Sequence, residues 1–122
     1  MSVRGIRGAT TVNIDQAESV LSATRELLLA IIQANPTLLP EDIASVLFTV
    51  TEDICSVYPA KAARGLGWTE VPLMCSQEIP VEGSLPLCIR VLIIWNTALG
   101  QAEVRHVYLR EAVSLRPDLA RS

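Results

Sequence analysis

At 122 residues, with 13 acids against 10 bases, the chain has a formal net charge of -3, and its pI near 5.1 excludes a bulk nucleic-acid binder. Half of it is hydrophobic and 19% is charged, which is too apolar for intrinsic disorder. Its longest unbroken apolar run, Leu27 to Ile32, is far short of the ~20 residues that cross a membrane.

Taken in chain order, residues Val3 to about Val12 carry β-branched positions with glycines at 5 and 8, an extended pattern with room for bulges. A helix is predicted from near Asp15, where Asp15 and Glu18 have the spacing of a capping box. Its stripe runs Ala17, Val20, Leu21, Thr24, Leu27, Leu28, Ile31 and Ile32, a 3.6-residue period, and Asn35-Pro36 stops it. Ile43 to Thr51 reads as a buried strand. Pro59 can open a short helix that Gly65 and Gly67 close. Trp68 to Cys75 is a weaker strand, which Pro72 assigns to an edge or a bulge. Cys88 to Thr97 is the strongest strand pattern, and a tail then passes through His106 and Tyr108 to Arg116-Pro117-Asp118. The order indicates an α+β fold: a mixed sheet with one long and one short helix covering one side. Length and the lack of linkers make residues 1–122 one domain.

The cations are skewed: nine are arginine and Lys61 is the single lysine. Genomic base composition can produce that, and so can a need to face an anionic ligand, because arginine forks onto carboxylates and tolerates burial. Cys55, Cys75 and Cys88 form no C-x-x-C pair, and the N-terminus lacks a signal peptide's apolar core. A reduced, cytoplasmic setting is the expectation. With one histidine and no clustered thiols, no metal site is expected.

Arg90 lies within the apolar run Cys88 to Trp95 and shares a strand face with Leu92 and Ile94. A charge there needs a partner or a route to water. Arg4 and Arg7, three apart on the first strand, point to opposite faces, so one faces inward. Glu78 follows a strand end, where site residues collect. Tyr108 can pack while keeping its hydroxyl wet. His106 reads as structural, and Cys75 has no adjacent base that would make it a nucleophile. Each residue has a bland explanation by itself. As a set they suit a substrate with two or more carboxylates, and chemistry needing neither proton transfer nor covalent attack.

The stretch Val3-Arg4-Gly5-Ile6-Arg7-Gly8-Ala9-Thr10-Thr11-Val12 resembles the N-terminus of the small monofunctional chorismate mutases of the AroH type. So do Tyr58-Pro59-Ala60-Lys61-Ala62-Ala63-Arg64, Val71-Pro72 with Cys75-Ser76-Gln77-Glu78, and Cys88-Ile89-Arg90-Val91. Arg105-His106-Val107-Tyr108-Leu109-Arg110 and Leu115-Arg116-Pro117-Asp118-Leu119 complete the series, in family order and spacing. The resemblance implies a homotrimeric pseudo-α/β-barrel with active sites between subunits. The implied reaction is the Claisen rearrangement of chorismate to prephenate in aromatic amino-acid biosynthesis, with no cofactor, metal, nucleic acid or membrane involved.

By the same resemblance, Arg90 would meet the ether oxygen and a carboxylate, Arg7 and Tyr108 would bind a carboxylate, and Glu78 would accept from the ring hydroxyl. Cys75 would sit at the Glu78 end, and a loop from Met74 through Ser76 to Gln77 would contribute backbone groups. Tyr58, Ala60, Arg64 and Leu115 would line the pocket from a neighbouring chain. Tyr58 stands where the family commonly has phenylalanine, and the sequence stops soon after Leu119, so any tail closing over the site is expected to be short. Two other readings stay open: an imine deaminase of the Rid type on a similar trimer, and a non-catalytic trimeric sensor of a dicarboxylate.

Overall fold

The computed structural model describes residues 1–115; Arg116 to Leu119, the end of the last block of resemblance, lie outside them. One mixed sheet forms the frame. Its strands are β1 (Ser2–Thr11), β2 (Ile43–Val50), β3 (Leu73–Gln77), β4 (Cys88–Thr97) and β5 (Val107–Tyr108), in the spatial order β3-β2-β4-β1-β5. The centre is β4, antiparallel to both β1 and β2, while the outer pairs β2–β3 and β1–β5 are parallel. The helices α1 (Ala17–Ala34) and α2 (Ala60–Gly65) occupy the crossovers between strands.

The apolar period of α1 decides which face of the sheet is dry. Val20, Ala23, Thr24, Leu27, Leu28 and Ile31 are buried, and the core cluster joins Leu27, Leu28 and Ile31 to Ile6, Phe48, Ile93 and Trp95 of the strands. Ala17, at the start of the predicted stripe, is exposed, and Ala23 is buried in its stead. Fully burying each of these leucines is worth ~1.5–3 kcal/mol. Gly8 marks the closest approach of helix to sheet. A Cβ there would stand 2.8 Å from Ile31 Cδ1 and 3.0 Å from Val91 Cγ1. The glycines of β1 therefore make no bulge: all ten residues pair with β4 in unbroken register, and the irregularity lies in β2, between Ile43 and Ser45.

Three local expectations change. Gln16, not Asp15, occupies the N-cap of α1, and no side chain caps it. Asp15 instead accepts the amide hydrogens of Cys55 at 3.0 Å and Ser56 at 3.2 Å, tying a distant loop to the helix start. The weak strand begins at Leu73 rather than Trp68, because Pro72 has no N–H to give a ladder. Pro72 still offers its carbonyl to Val46 N at 2.9 Å, while Trp68 and Val71 are buried as loop residues against the core. That strand is an edge strand and runs on to Gln77, so the stretch from Met74 to Gln77 is strand and not loop. Of the two glycines after α2, Gly65 ends the helix and Gly67 takes the positive φ of 95° that turns the chain away.

Candidate active site

The sheet register builds the site as one row across four strands. Arg90 of β4 pairs with Thr49 of β2 on one side and Ala9 of β1 on the other, and Ala9 pairs with Tyr108 of β5. Neighbouring strands are ~4.8 Å apart, so the row spans ~14 Å. Small Ala9 and Thr49 leave space beside the arginine. Arg7, paired with Leu92, stands one step along the same face of β1. The result is a cavity of about 310 Å³ lined by Arg7, Ala9, Leu47, Thr49, Glu78, Arg90, Leu92 and Tyr108. Arg90, Glu78, Arg7 and Tyr108, the four residues singled out for chemistry, all line it.

Glu78 reaches the row from just beyond β3. Its amide donates to Val50 O at 2.8 Å, and its Oε1 accepts the Thr49 hydroxyl at 2.6 Å. The same carboxylate oxygen lies 3.8 Å from Arg90 Nε, a Coulombic contact too long to be a hydrogen bond. Arg90 Nε is shut off from solvent and has no hydrogen-bond partner, although the side chain as a whole keeps 40% exposure. A buried charged donor left unpaired is costly, so this nitrogen is poised for an acceptor in the cavity. Two guanidinium groups against one carboxylate give the cavity a surplus of positive charge, which suits an anionic guest.

Cys88 shares Arg90's face two residues earlier and packs with Ala9, Tyr108 and Ala112. Burial pushes its thiol pKa up, and the nearby Arg90 charge partly opposes that. The backbone just before it is strained. Leu87 has φ 50°, and its amide donates to both Asp53 oxygens, at 3.2 and 3.0 Å. Thr49 and Cys88 were not among the sequence candidates. Strand alternation alone puts Cys88 beside Arg90, but only the β2–β4 register reveals Thr49.

The remaining candidates lie elsewhere. Tyr58, Cys75, Ser76 and Gln77 line a second cavity of about 580 Å³ with Val50, Ile54 and Val57. Cys75 is thus not in the Arg90 cavity; it packs against the apolar core, opposite Phe48 in the sheet. Ala60 is buried within the chain's own core, so its side chain faces inward rather than toward a neighbour. Leu115, also expected from a neighbouring chain, packs on its own chain's cluster of Ala9, Cys88, Tyr108 and Ala112. Arg64 and Met74 are exposed. His106 is structural: its Nδ1 accepts the Arg7 amide hydrogen at 2.9 Å. Among the described residues, no three His, Cys, Asp or Glu side chains gather as metal ligands, and no helix is long and apolar enough to cross a membrane.

Known proteins with the same arrangement can now be set beside it. The family model for chorismate mutase type I matches residues 3–119. The chain is similar to the chorismate mutase AroH of Thermus thermophilus, with 59% identity over 117 residues and 96% of each chain covered. It is similar also to that of Bacillus subtilis (strain 168), 50% identical over 121 residues, covering 98% of this chain and 94% of the relative. A solved chorismate mutase from Clostridium thermocellum superposes with a TM-score of 0.88 at 44% identity, covering 90% of this chain and 97% of the other. This chain belongs to the type I chorismate mutase family.

Proposed function

We propose that this enzyme rearranges chorismate to prephenate in the Arg90 cavity, within aromatic amino-acid biosynthesis, and that Arg90, Arg7, Tyr108 and Glu78 do the work. The observation that carries the proposal is Arg90 Nε, buried and without a hydrogen-bond partner in a cavity with surplus positive charge. Family membership gives no support to the imine deaminase or the passive sensor.

The chemistry is a unimolecular pericyclic shift: a carbon–oxygen bond breaks as a carbon–carbon bond forms, and electrons move within the substrate alone. Two tasks are left to the protein. It must hold a flexible dicarboxylate so that the reacting carbons approach, and it must stabilise negative charge that grows on the ether oxygen. Arg90 serves the second task, because its donor is already fixed and needs no reorganisation when charge develops. Its planar fork reaches a carboxylate as well. Arg7 and Tyr108, at the β1 and β5 end of the row, take a carboxylate. Glu78, steadied by Thr49, accepts from the ring hydroxyl at the other end and balances charge beside Arg90.

A homotrimer completes the site in this reading. Tyr58 and Arg64 are exposed on the isolated chain, and with Cys75, Ser76, Gln77 and Met74 they border regions apart from the Arg90 cavity. Across a subunit boundary they would wall a neighbour's cavity, while Ala60 and Leu115 support from within. The face of the sheet away from α1 carries Leu92, 38% exposed, with half-buried Leu47 and Ile94, apolar surface that trimer packing would cover. One catalytic domain in a reducing cytoplasm completes the proposal, in keeping with three free thiols.

The test follows chorismate loss and prephenate formation with no cofactor added, for the wild type and Arg90→Ala. Turnover by the wild type and near-complete loss in the variant are expected. An Arg90→Ala enzyme with undiminished turnover would sink this mechanism.

A further inference from the structure

The strand that carries Tyr108 is two residues long, and two ladder positions are a weak hold on a side chain that must be placed to within an ångström. The segment before it supplies the missing hold. Asn35, the C-cap of α1, is 3% exposed, and its side-chain amide clamps the backbone of Arg105 from both sides. Its Oδ1 accepts Arg105 N–H at 3.0 Å, and its Nδ2 donates to Arg105 O at 3.0 Å and to Ile31 O at 2.9 Å. The next residue is His106, whose Nδ1 accepts the backbone N–H of Arg7 at 2.9 Å. Gly8 and Ala9 then pair with Val107 and Tyr108, and Leu109 N donates to Ala9 O at 2.9 Å.

The imidazole therefore stands in for a ladder carbonyl. Arg7's amide points at the β5 edge, where no backbone acceptor meets it, and the ring extends the short pairing by one rung. That rung joins the two strands bearing Arg7 and Tyr108, the pair assigned above to one substrate carboxylate. We propose that His106 is a positioning residue of this enzyme: by accepting the Arg7 amide through Nδ1, it fixes Arg7 and Tyr108 at one spacing for carboxylate binding. Asn35 holds the approach to His106 so that the ring arrives in register. The functional half rests on the proposed roles of Arg7 and Tyr108; the structural half does not.

Two measurements separate them. The first is steady-state kinetics on chorismate for His106→Leu and His106→Asn. Leucine keeps bulk and loses the acceptor, whereas the asparagine Oδ1 falls near the place of Nδ1. His106→Leu should raise KM about fivefold, the loss of one hydrogen bond's worth of placement, with kcat within about twofold. His106→Asn should return KM to near the wild-type value. The second is amide hydrogen exchange of Arg7 in the same proteins. Protection should fall about tenfold or more in His106→Leu and recover in His106→Asn. Equal protection in both variants and the wild type would overturn the clamp. Lost protection with unchanged KM would overturn the positioning role alone. Arg7→Ala, run in parallel, tests the underlying reading: a wild-type KM there would remove Arg7 as a carboxylate holder, whatever the exchange data say about His106.

Discussion

Gly8 and Ala9 are adjacent on one strand and meet opposite surroundings. Gly8 faces α1, where Ile31, Leu27 and Val91 leave no room for a methyl group. Ala9 faces the other way, and together with Thr49 its smallness leaves the space beside Arg90. One face of the sheet is filled by matching shapes, and the other by charges around a gap. The contrast teaches that stability and chemistry here sit on alternate residues of the same strands. Substitutions on the two faces should therefore fail in different ways.

The helix face should show the largest effect, on stability. Leu27 is fully buried, and Leu27→Ala should cost about 3 kcal/mol in unfolding free energy, within the usual ~2–5 kcal/mol for such cavities. Its kcat should stay near the wild-type value at a temperature where the variant is folded. Chemical denaturation and a turnover assay on the same sample check both halves. On the cavity face the converse holds. Arg90→Lys keeps the charge and loses the planar fork, so kcat should fall about 100-fold, roughly 2.7 kcal/mol of barrier. The unfolding midpoint should hardly move, because the side chain is 40% exposed and its one close partner is 3.8 Å away. If Arg90→Lys lost as much stability as Leu27→Ala, the division between faces would be wrong.

A smaller effect probes the end of the row. Thr49→Val keeps shape and removes the hydroxyl that Glu78 Oε1 accepts at 2.6 Å. We expect kcat/KM to fall about fivefold, near the ~1 kcal/mol of one hydrogen bond. The sharper check is the double variant: in a Glu78→Ala background, Thr49→Val should do nothing further, since its effect passes through that carboxylate. Additive losses would mean that Thr49 acts on the cavity by another route.

What could be read from the sequence follows the range of the forces involved. The limits of β4 were legible to the residue because alternation and β-branching are local. So was Arg90's company with Leu92 and Ile94. The α1 stripe was legible for the same reason, apart from its first turn. The limits of β3 were not: Trp68 and Val71 are as apolar as strand residues, and they serve the core from a loop that Pro72 keeps out of the ladder. Nor was β5, whose two residues are a strand only because β1 lies beside them. Within the site, the residue types were legible and the register was not, which is why Thr49 went unnoticed while Glu78 did not. Resemblance to a family located Tyr58 and Cys75 near the reaction, yet on one chain they line a different cavity from Arg90.

Asp15 shows the same limit at its smallest scale. Its spacing to Glu18 is that of a capping box, and local rules alone favour that role. The structure spends the carboxylate on the loop at Cys55 and Ser56, just before Tyr58. A hydrogen bond from the Ser56 hydroxyl, then one from the Cys55 amide, holds its pKa below the ordinary 3.8. The same carboxylate pushes the Cys55 thiol pKa up through a contact of 3.4 Å. A lowered carboxyl pKa stabilises the fold above the unfolded value, and the contribution fades as pH falls through the folded one. The site is fully exposed, so the effect is small. Asp15→Asn should melt slightly below the wild type at neutral pH, and the gap should close as pH drops below about 4. Melting curves across that range decide it. A gap that stayed constant with pH would mean the loop is held by shape alone, and that the charge of Asp15 plays no part in presenting Tyr58.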